Sequence, residues 1–194
     1  AIESFARIKV VGVGGSGGNA VNHMVNSKVR GVEFIAVNTD AQDLHQNLAS
    51  KKIRIGKGIT KGLGTGMNPE LGRQATEETK DELHEALKGS DMVFITCGMG
   101  GGTGTGGAPV VAQAAKAQGA LTIGVVTKPF AFEGAERAKI AENGLARLRE
   151  AVDALIVIPN DKLLNLVSKE TPFLAAFAMC DEVLRHAVEG ISDL

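Results

Sequence analysis

The sequence predicts an α/β fold: a Rossmann-like, doubly wound, mostly parallel sheet with helices on both faces. Three observations predict it. Short apolar, β-branched runs alternate with longer segments of helical periodicity along almost the whole chain. Those strand-like runs are apolar throughout, the pattern of strands covered on both faces of a parallel sheet. Glycine-rich stretches follow two of them, where strand passes into helix. Right-handed crossovers then wind the connecting helices onto both faces. The 194 residues, 44% hydrophobic and 22% charged, suit one domain with a sizeable core.

In chain order, "ARIKVVGV" (6–13) reads as a strand, and "GGNAVNHMVNSKV" (17–29) as a helix with Ala20, Val21, Met24 and Val25 on one face. "VEFIAVN" (32–38) is a second strand, "DAQDLHQNLA" (40–49) a short helix and "KKIRI" (51–55) a third strand. "GKGITKGLGTGMNPE" (56–70) is too rich in glycine to be regular, and ends in an N-cap asparagine, Asn68, with Pro69 at the favoured first-turn position. The helix "ELGRQATEETKDELHEALKG" (70–89) closes at Gly89 as a C-cap glycine would. "DMVFITC" (91–97) is again a strand, leading through a glycine loop into the helix "APVVAQAAKAQG" (108–119). "ALTIGVVT" (120–127) and "DALIVIP" (153–159) are the last strands, separated by a loop at 128–136 that merges into a helix reaching Ala151. "NDKLLNLVSK" (160–169) reads as a short helix, and Thr171–Pro172 caps a last helix running to Glu189.

The formal net charge is −1 and no stretch concentrates Lys and Arg, which argues against nucleic-acid and membrane-surface partners. Cys97 and Cys180 form no CxxC pattern, and the four histidines are scattered, so neither a disulfide framework nor a zinc site is expected. With no charged leader and no run of 18 apolar residues, the expectation is a soluble cytoplasmic protein without direct membrane insertion. Trp and Tyr are absent, so any aromatic stacking falls to the seven Phe.

Two glycine loops carry the chemistry. Gly12-Val13-Gly14-Gly15-Ser16-Gly17 is a GxGxxG after the first strand, a form that lets backbone approach a diphosphate and aims a helix N-terminus at it. A turn requiring positive φ would explain some of the same glycines. The second loop, "CGMGGGTGTGGAP" (97–109), holds seven glycines and two threonines between an apolar strand and an apolar helix. It is longer than an inert strand–helix link needs, and its successive unhindered N–H groups make an anion nest. Thr103 and Thr105 add hydroxyls within reach of phosphate oxygens or a metal-bound water. No GxxxxGK[ST] occurs, so a polyphosphate held here would depend on backbone amides, helix dipoles and Mg²⁺.

The stretch "GGGTGTG" (100–106) resembles the signature loop of the tubulin/FtsZ family of filament-forming GTPases. The segments "IKVVGVGG", "GVEFIAVNTDAQ", "DMVFITCGMGGGTGTG", "GVVTKPFAFEG", "DALIVIPNDKLL" and "VEGISDL" are similar, in order and with compatible spacing, to the bacterial cell-division branch of that family. The resemblance covers a GTP-binding domain at 1–170 and the start of the family's long central helix at 171–194. The family's next loop, which reads like "NxDFAD", and its carboxy-terminal domain are expected to be absent from this chain.

The resemblance implies a site for GTP or GDP, with Mg²⁺ held through the phosphates and water and by no direct protein ligand. Gly14, Gly15, Ser16, Gly17, Gly18 and Asn19 match the first phosphate loop, with Asn19 at the guanine. Asn38, Thr39 and Asp40 match a second loop beside the phosphates, and Gly64, Thr65 and Gly66, continuing to Pro69, match a third that senses the γ-phosphate. Gly98, Gly100, Gly101, Gly102, Thr103 and Gly104 match the signature loop around the three phosphates. Glu133 and Arg137 match a pair contacting the ribose and a nearby phosphate; from the residues alone they read equally as a surface i,i+4 ion pair. Asn160, Phe177 and Asp181 match the base-binding set. An Asp181 carboxylate would accept from guanine N1–H and N2–H₂, a donor pair adenine lacks. Without the resemblance, Phe177 reads as core and Asp181 as a solvated charge.

This chain departs from the family's pattern near the site. "GLGTGMNP" stands where the family usually has "GLGAGANP", putting Thr65 and Met67 in place of alanines. Ser16 replaces a usual glycine, and "FEGAER" lacks the usual neighbouring basic residues. The resemblance also implies head-to-tail self-association and hydrolysis completed in trans, with no catalytic residue in this chain and little hydrolysis by it alone. Membrane-tethering and regulatory division proteins are expected to act through the missing part, and a mid-cell division ring is the expected location. Two alternatives stand beside this reading. An NAD(P)- or flavin-dependent oxidoreductase would use GxGxxG with Asp40 on the ribose, and a regulatory domain would bind GTP and cap filaments without catalysis.

Overall fold

Six strands pair in the order β3-β2-β1-β4-β5-β6 in the computed structural model, and every pairing is parallel. They are β1 (Ile8–Val13), β2 (Val32–Asn38), β3 (Lys51–Arg54), β4 (Met92–Gly98), β5 (Leu121–Lys128) and β6 (Ala154–Pro159). The structure describes residues 6–161, 181–183, 185–186 and 188–190. This is the doubly wound order, in which β1 and β4 sit side by side and the winding reverses between them.

Side-chain alternation along β1 divides the core between two faces. Val11 and Val13 join Ile35, Ile53, Ile95 and Leu145 on one face, under the helices α4 (Pro69–Glu78), α5 (Lys80–Leu87), α6 (Thr103–Ala117) and α7 (Ala135–Ala151). Val10 joins Phe34, Phe94 and Val125 on the other, beneath α1 (Gly14–Asn26) and α2 (Ala41–His45), with Val188 from the helical residues 188–190. The interiors of β1, β2, β4 and β5 are therefore largely apolar on both faces, whereas the edge strand β3 fully buries only Ile53.

The helices differ from expectation in three ways. First, α1 and α6 begin at Gly14 and Thr103, inside the glycine loops, where starts near Gly17 and Ala108 are expected. Each helical glycine costs about 1 kcal/mol relative to alanine, so propensity argues for a later start. Packing overrides it: a Cβ on Gly106 would collide with the Pro69 carbonyl oxygen, and one on Gly72 with that of Gly102. Pro109 consequently lies inside α6, not at its first turn. Second, the single helix expected at 70–89 breaks at Thr79 (φ −109°, ψ 13°). The Thr79 hydroxyl donates to the Ala75 carbonyl at 3.1 Å and accepts from the Gly56 N–H at 3.1 Å, which pins the break. Third, the irregular 56–68 stretch contains one helical turn, α3 (Lys57–Thr60).

The expected Asn68 cap is present, accepting from the Glu70 and Leu71 amides, and Asp40 also caps α2 through the Asp43 amide. Most of the helices expected at 160–169 and 172–189, and Phe177 with them, lies outside the described residues. No helix among the described residues is long and apolar enough to cross a membrane.

Candidate functional site

A cleft of about 510 Å³ opens at the carboxyl ends of the strands, over the junction of β1 and β4 where the winding reverses. Its floor is the meeting point of two helix N-termini. Gly14, at φ +76°, turns β1 directly into α1, and a Cβ built on it would lie 3.0 Å from the backbone nitrogen of Gly104 in α6. Neither helix has a side-chain N-cap bond or an acidic residue in its first turn. The leading N–H groups of both are therefore left for a ligand, and both dipoles favour an anion at one place.

The walls come from five further segments. Asn38 at the end of β2 donates to the Asp43 carboxylate at 3.1 Å and accepts from the Asp40 amide at 3.2 Å, and all three line the cleft. Gly64, Thr65 and Gly66 arch over from the loop before α4, and the Thr65 hydroxyl lies 3.0 Å from that of Thr103. Gly98, Gly101, Gly102, Thr103 and Gly104 form the wall between β4 and α6. Glu133 and Arg137 face the cleft together, 3.8 Å apart, and Glu133 also accepts from the Phe130 amide at 2.7 Å. Asn160 closes the far side beside Asp181. Asn160 is 4% exposed and its Oδ1 has no partner among the described residues. A buried acceptor left open in this way fits a donor arriving on a ligand.

Burial pushes the Asp181 carboxyl up to about 6, against the pull of nearby His23. The adjoining Glu182 accepts a 2.5 Å hydrogen bond from His23 and pairs with Arg185, and these hold it down at about 2, Arg185 being the larger influence. Glu182 thus ties the helical residues 181–183 to α1.

The structure brings Gly14, Gly15, Ser16 and Asn19 of the first loop to the cleft, but not Gly17 or Gly18. Gly17 instead lets α1 lie against β1 and β4: its Cβ would sit 2.9 Å from the carbonyl carbon of Gly12. Gly18 offers its carbonyl to Asn47 at 3.0 Å. Thr39 is fully buried behind the wall, 3.3 Å from the Thr103 hydroxyl, and Gly100 does not line the cleft either. Thr105 serves the loop itself, accepting from the Gly100 amide at 2.9 Å. Ser16 does not adopt positive φ, so its departure from glycine is accommodated.

Sequence reasoning missed Asp43, Cys97, Met99, Thr127 and Pro129, all of which line the cleft. Asp43 was detectable, three residues into a helix capped by Asp40. Burial raises the Cys97 thiol to about 12, which leaves it inert as a nucleophile. Among the described residues no three His, Cys, Asp or Glu side chains gather as a metal site.

A family model described as "Tubulin/FtsZ family, GTPase domain" matches residues 7–168. The cell division protein FtsZ of Pseudomonas aeruginosa is 58% identical over 193 residues, covering 100% of this chain and 49% of that protein. An empty FtsZ dimer from M. jannaschii superposes with a TM-score of 0.93 at 50% identity, over 98% of this chain and 55% of that one. CetZ2 from Haloferax volcanii, solved as a GTPγS-bound protofilament, gives 0.85 at 27% identity, over 96% of this chain and 58% of that one. The chain thus spans about half the length of the relatives it matches. These matches lend no support to the oxidoreductase alternative.

Proposed function

Because this chain belongs to the tubulin/FtsZ family through its GTPase domain, we propose that its cleft binds GTP and GDP as the nucleotide-binding part of a filament-forming cell-division GTPase. The observation that carries this reading is the convergence of two uncapped, acid-free helix N-termini at Gly14 and Gly104. It suits a polyphosphate better than a single phosphate, and the absence of a P-loop lysine leaves the charge to backbone dipoles and the cation on the phosphates. Mg²⁺ bound through phosphate oxygens and water would neutralise charge developing on them. Glu133 and Arg137 then flank the ribose, and Asn160 and Asp181 meet the base.

Each cleft carboxylate already serves a neighbour or the base. Glu133 holds the Phe130 amide, Asp43 the Asn38 amide and Asp40 the amide of Asp43. This chain's residues accordingly bind, orient and polarise the nucleotide, while a second subunit orients the attacking water, so the chain alone turns over slowly. Exposed apolar side chains next to the cleft segments support such docking: Leu63 is 70% and Phe132 53% exposed, beside Gly64 and Glu133. The protofilament of CetZ2 and the dimer of FtsZ support self-association, here proposed as head-to-tail. Tethering proteins, a cytoplasmic location and a mid-cell ring follow as proposals from the cell-division relative.

Equilibrium titration with Mg²⁺ and GTP, GDP, ATP or NAD(P) tests the reading. GTP and GDP should bind at least tenfold more tightly than ATP, the discrimination expected of a site built to accept hydrogen bonds from one base. Equal affinity for ATP, or a response to NAD(P) alone, would refute it. Rapid GTP turnover at dilutions where no dimer persists would refute the assignment of water activation to a second subunit.

A further inference from the structure

We propose that the Thr65 hydroxyl is a positioning group that holds the Thr103 hydroxyl as a donor to the terminal phosphate. The proposal rests on the reading that the cleft takes GTP. Thr103 opens α6 and lines the cleft, while its Oγ1 lies 3.0 Å from Thr65 Oγ1 and 3.3 Å from Thr39 Oγ1. All three threonines are buried, so water does not compete for these contacts.

A hydroxyl has one proton and two lone pairs. When Thr39 and Thr65 both donate to Thr103, its lone pairs are filled and its own proton is left for the cleft. The opposite ordering, with Thr103 donating to Thr65, would turn a lone pair toward an anion, and an anion in the cleft selects against it. Bare backbone at Gly102 makes the arrangement possible. A Cβ there would collide with Thr65 Oγ1 and come within 2.8 Å of the Gly66 carbonyl oxygen and 2.9 Å of that of Asn68. The 64–68 loop is thereby laid against the start of α6, and Thr65 reaches the phosphates through Thr103.

The test compares the wild-type chain with Thr65→Val, Thr65→Ala and Thr65→Ser, measuring affinity for GTP and for GDP in Mg²⁺ at one pH. Valine keeps the shape and removes the donor. Losing the ordering of one hydrogen bond should weaken GTP about fivefold, while GDP, which lacks the terminal phosphate, changes less than twofold. Serine should restore the wild-type GTP:GDP ratio. Thr39→Val, which removes the other donor, should lower that ratio in the same direction, and it decides the matter should Thr65→Val fail to fold. A ratio unmoved by Thr65→Val and Thr65→Ala, or equal weakening of both nucleotides, overturns the inference alone. Wild-type chain that binds neither nucleotide overturns the GTP reading and this inference with it.

Discussion

On the proposal that Asp181 meets the base, nucleotide affinity should depend on pH. Burial disfavours its charged form and raises its pKa to about 6, whereas guanine, offering N1–H and N2–H₂, can be accepted only by the ionised carboxylate. The raised value means that the unliganded fold holds this proton to higher pH than an exposed carboxyl would, and below about pH 6 ligand binding must pull it off. With a pKa of about 6, about nine-tenths of the chains are ionised at pH 7 and roughly one-tenth at pH 5. Affinity should therefore fall about tenfold between those pH values, with the steepest change on either side of 6. The phosphates titrate in the same range, so the assay is a competition titration of GDP against wild type and Asp181→Asn in parallel. The asparagine variant should bind weakly at both pH values and lose most of the wild-type slope. Unliganded wild type should conversely lose stability as pH rises through 6, the sign required when a folded pKa lies above its unfolded value. Parallel pH profiles for the two proteins would refute the assignment of Asp181 to the base.

Two further outcomes follow from packing. Gly106→Ala gains about 1 kcal/mol of helix propensity but drives a Cβ into the Pro69 carbonyl, with backbone that cannot yield on either side; overpacking of about 3 kcal/mol leaves a net loss of about 2 kcal/mol. Thermal unfolding should drop by roughly 4–8 °C for a chain of this size, and an unchanged midpoint would mean that α4 can slide on α6. In a Cys180→Ser background, Cys97 should resist thiol reagents at pH 8 until the chain is unfolded, because it is buried with its pKa near 12; rapid native-state labelling would contradict that burial.

The strands were legible because a doubly covered sheet leaves no polar face to confuse the pattern. Val10 and Val11 point to opposite cores and are both apolar, so the run itself marks the strand. The glycine loops were legible as cleft segments because bare backbone followed by helix has few other uses. Where the loops end was not, since the positions of Gly106 and Gly107 in the helix are dictated by Pro69 and Thr76 on a neighbouring helix, which local propensity does not register. The same limit hid the division of labour among the glycines. Gly14 faces the cleft while Gly17 faces β4, and the difference lies in which side of a helix meets the sheet. Thr127 escaped notice because an ordinary residue becomes cleft wall only through register, here by pairing opposite Gly98. Nothing in the sequence singles out the open acceptor on Asn160, which is a property of what surrounds it.

The placement of β1 beside β4 has a consequence for how the chain acquires its site. Ile8 pairs with Met92 across the sheet, and no β1–β4 junction exists until that later strand has arrived. Contacts so distant in sequence must be closed against chain entropy before they stabilise anything, which makes such topologies slow to fold. A chain emerging from the ribosome would present the first glycine loop long before there is a second helix terminus to share an anion with it. On the proposed reading, nucleotide would bind late, stabilising only chains that have completed the sheet and distinguishing them from those that have not.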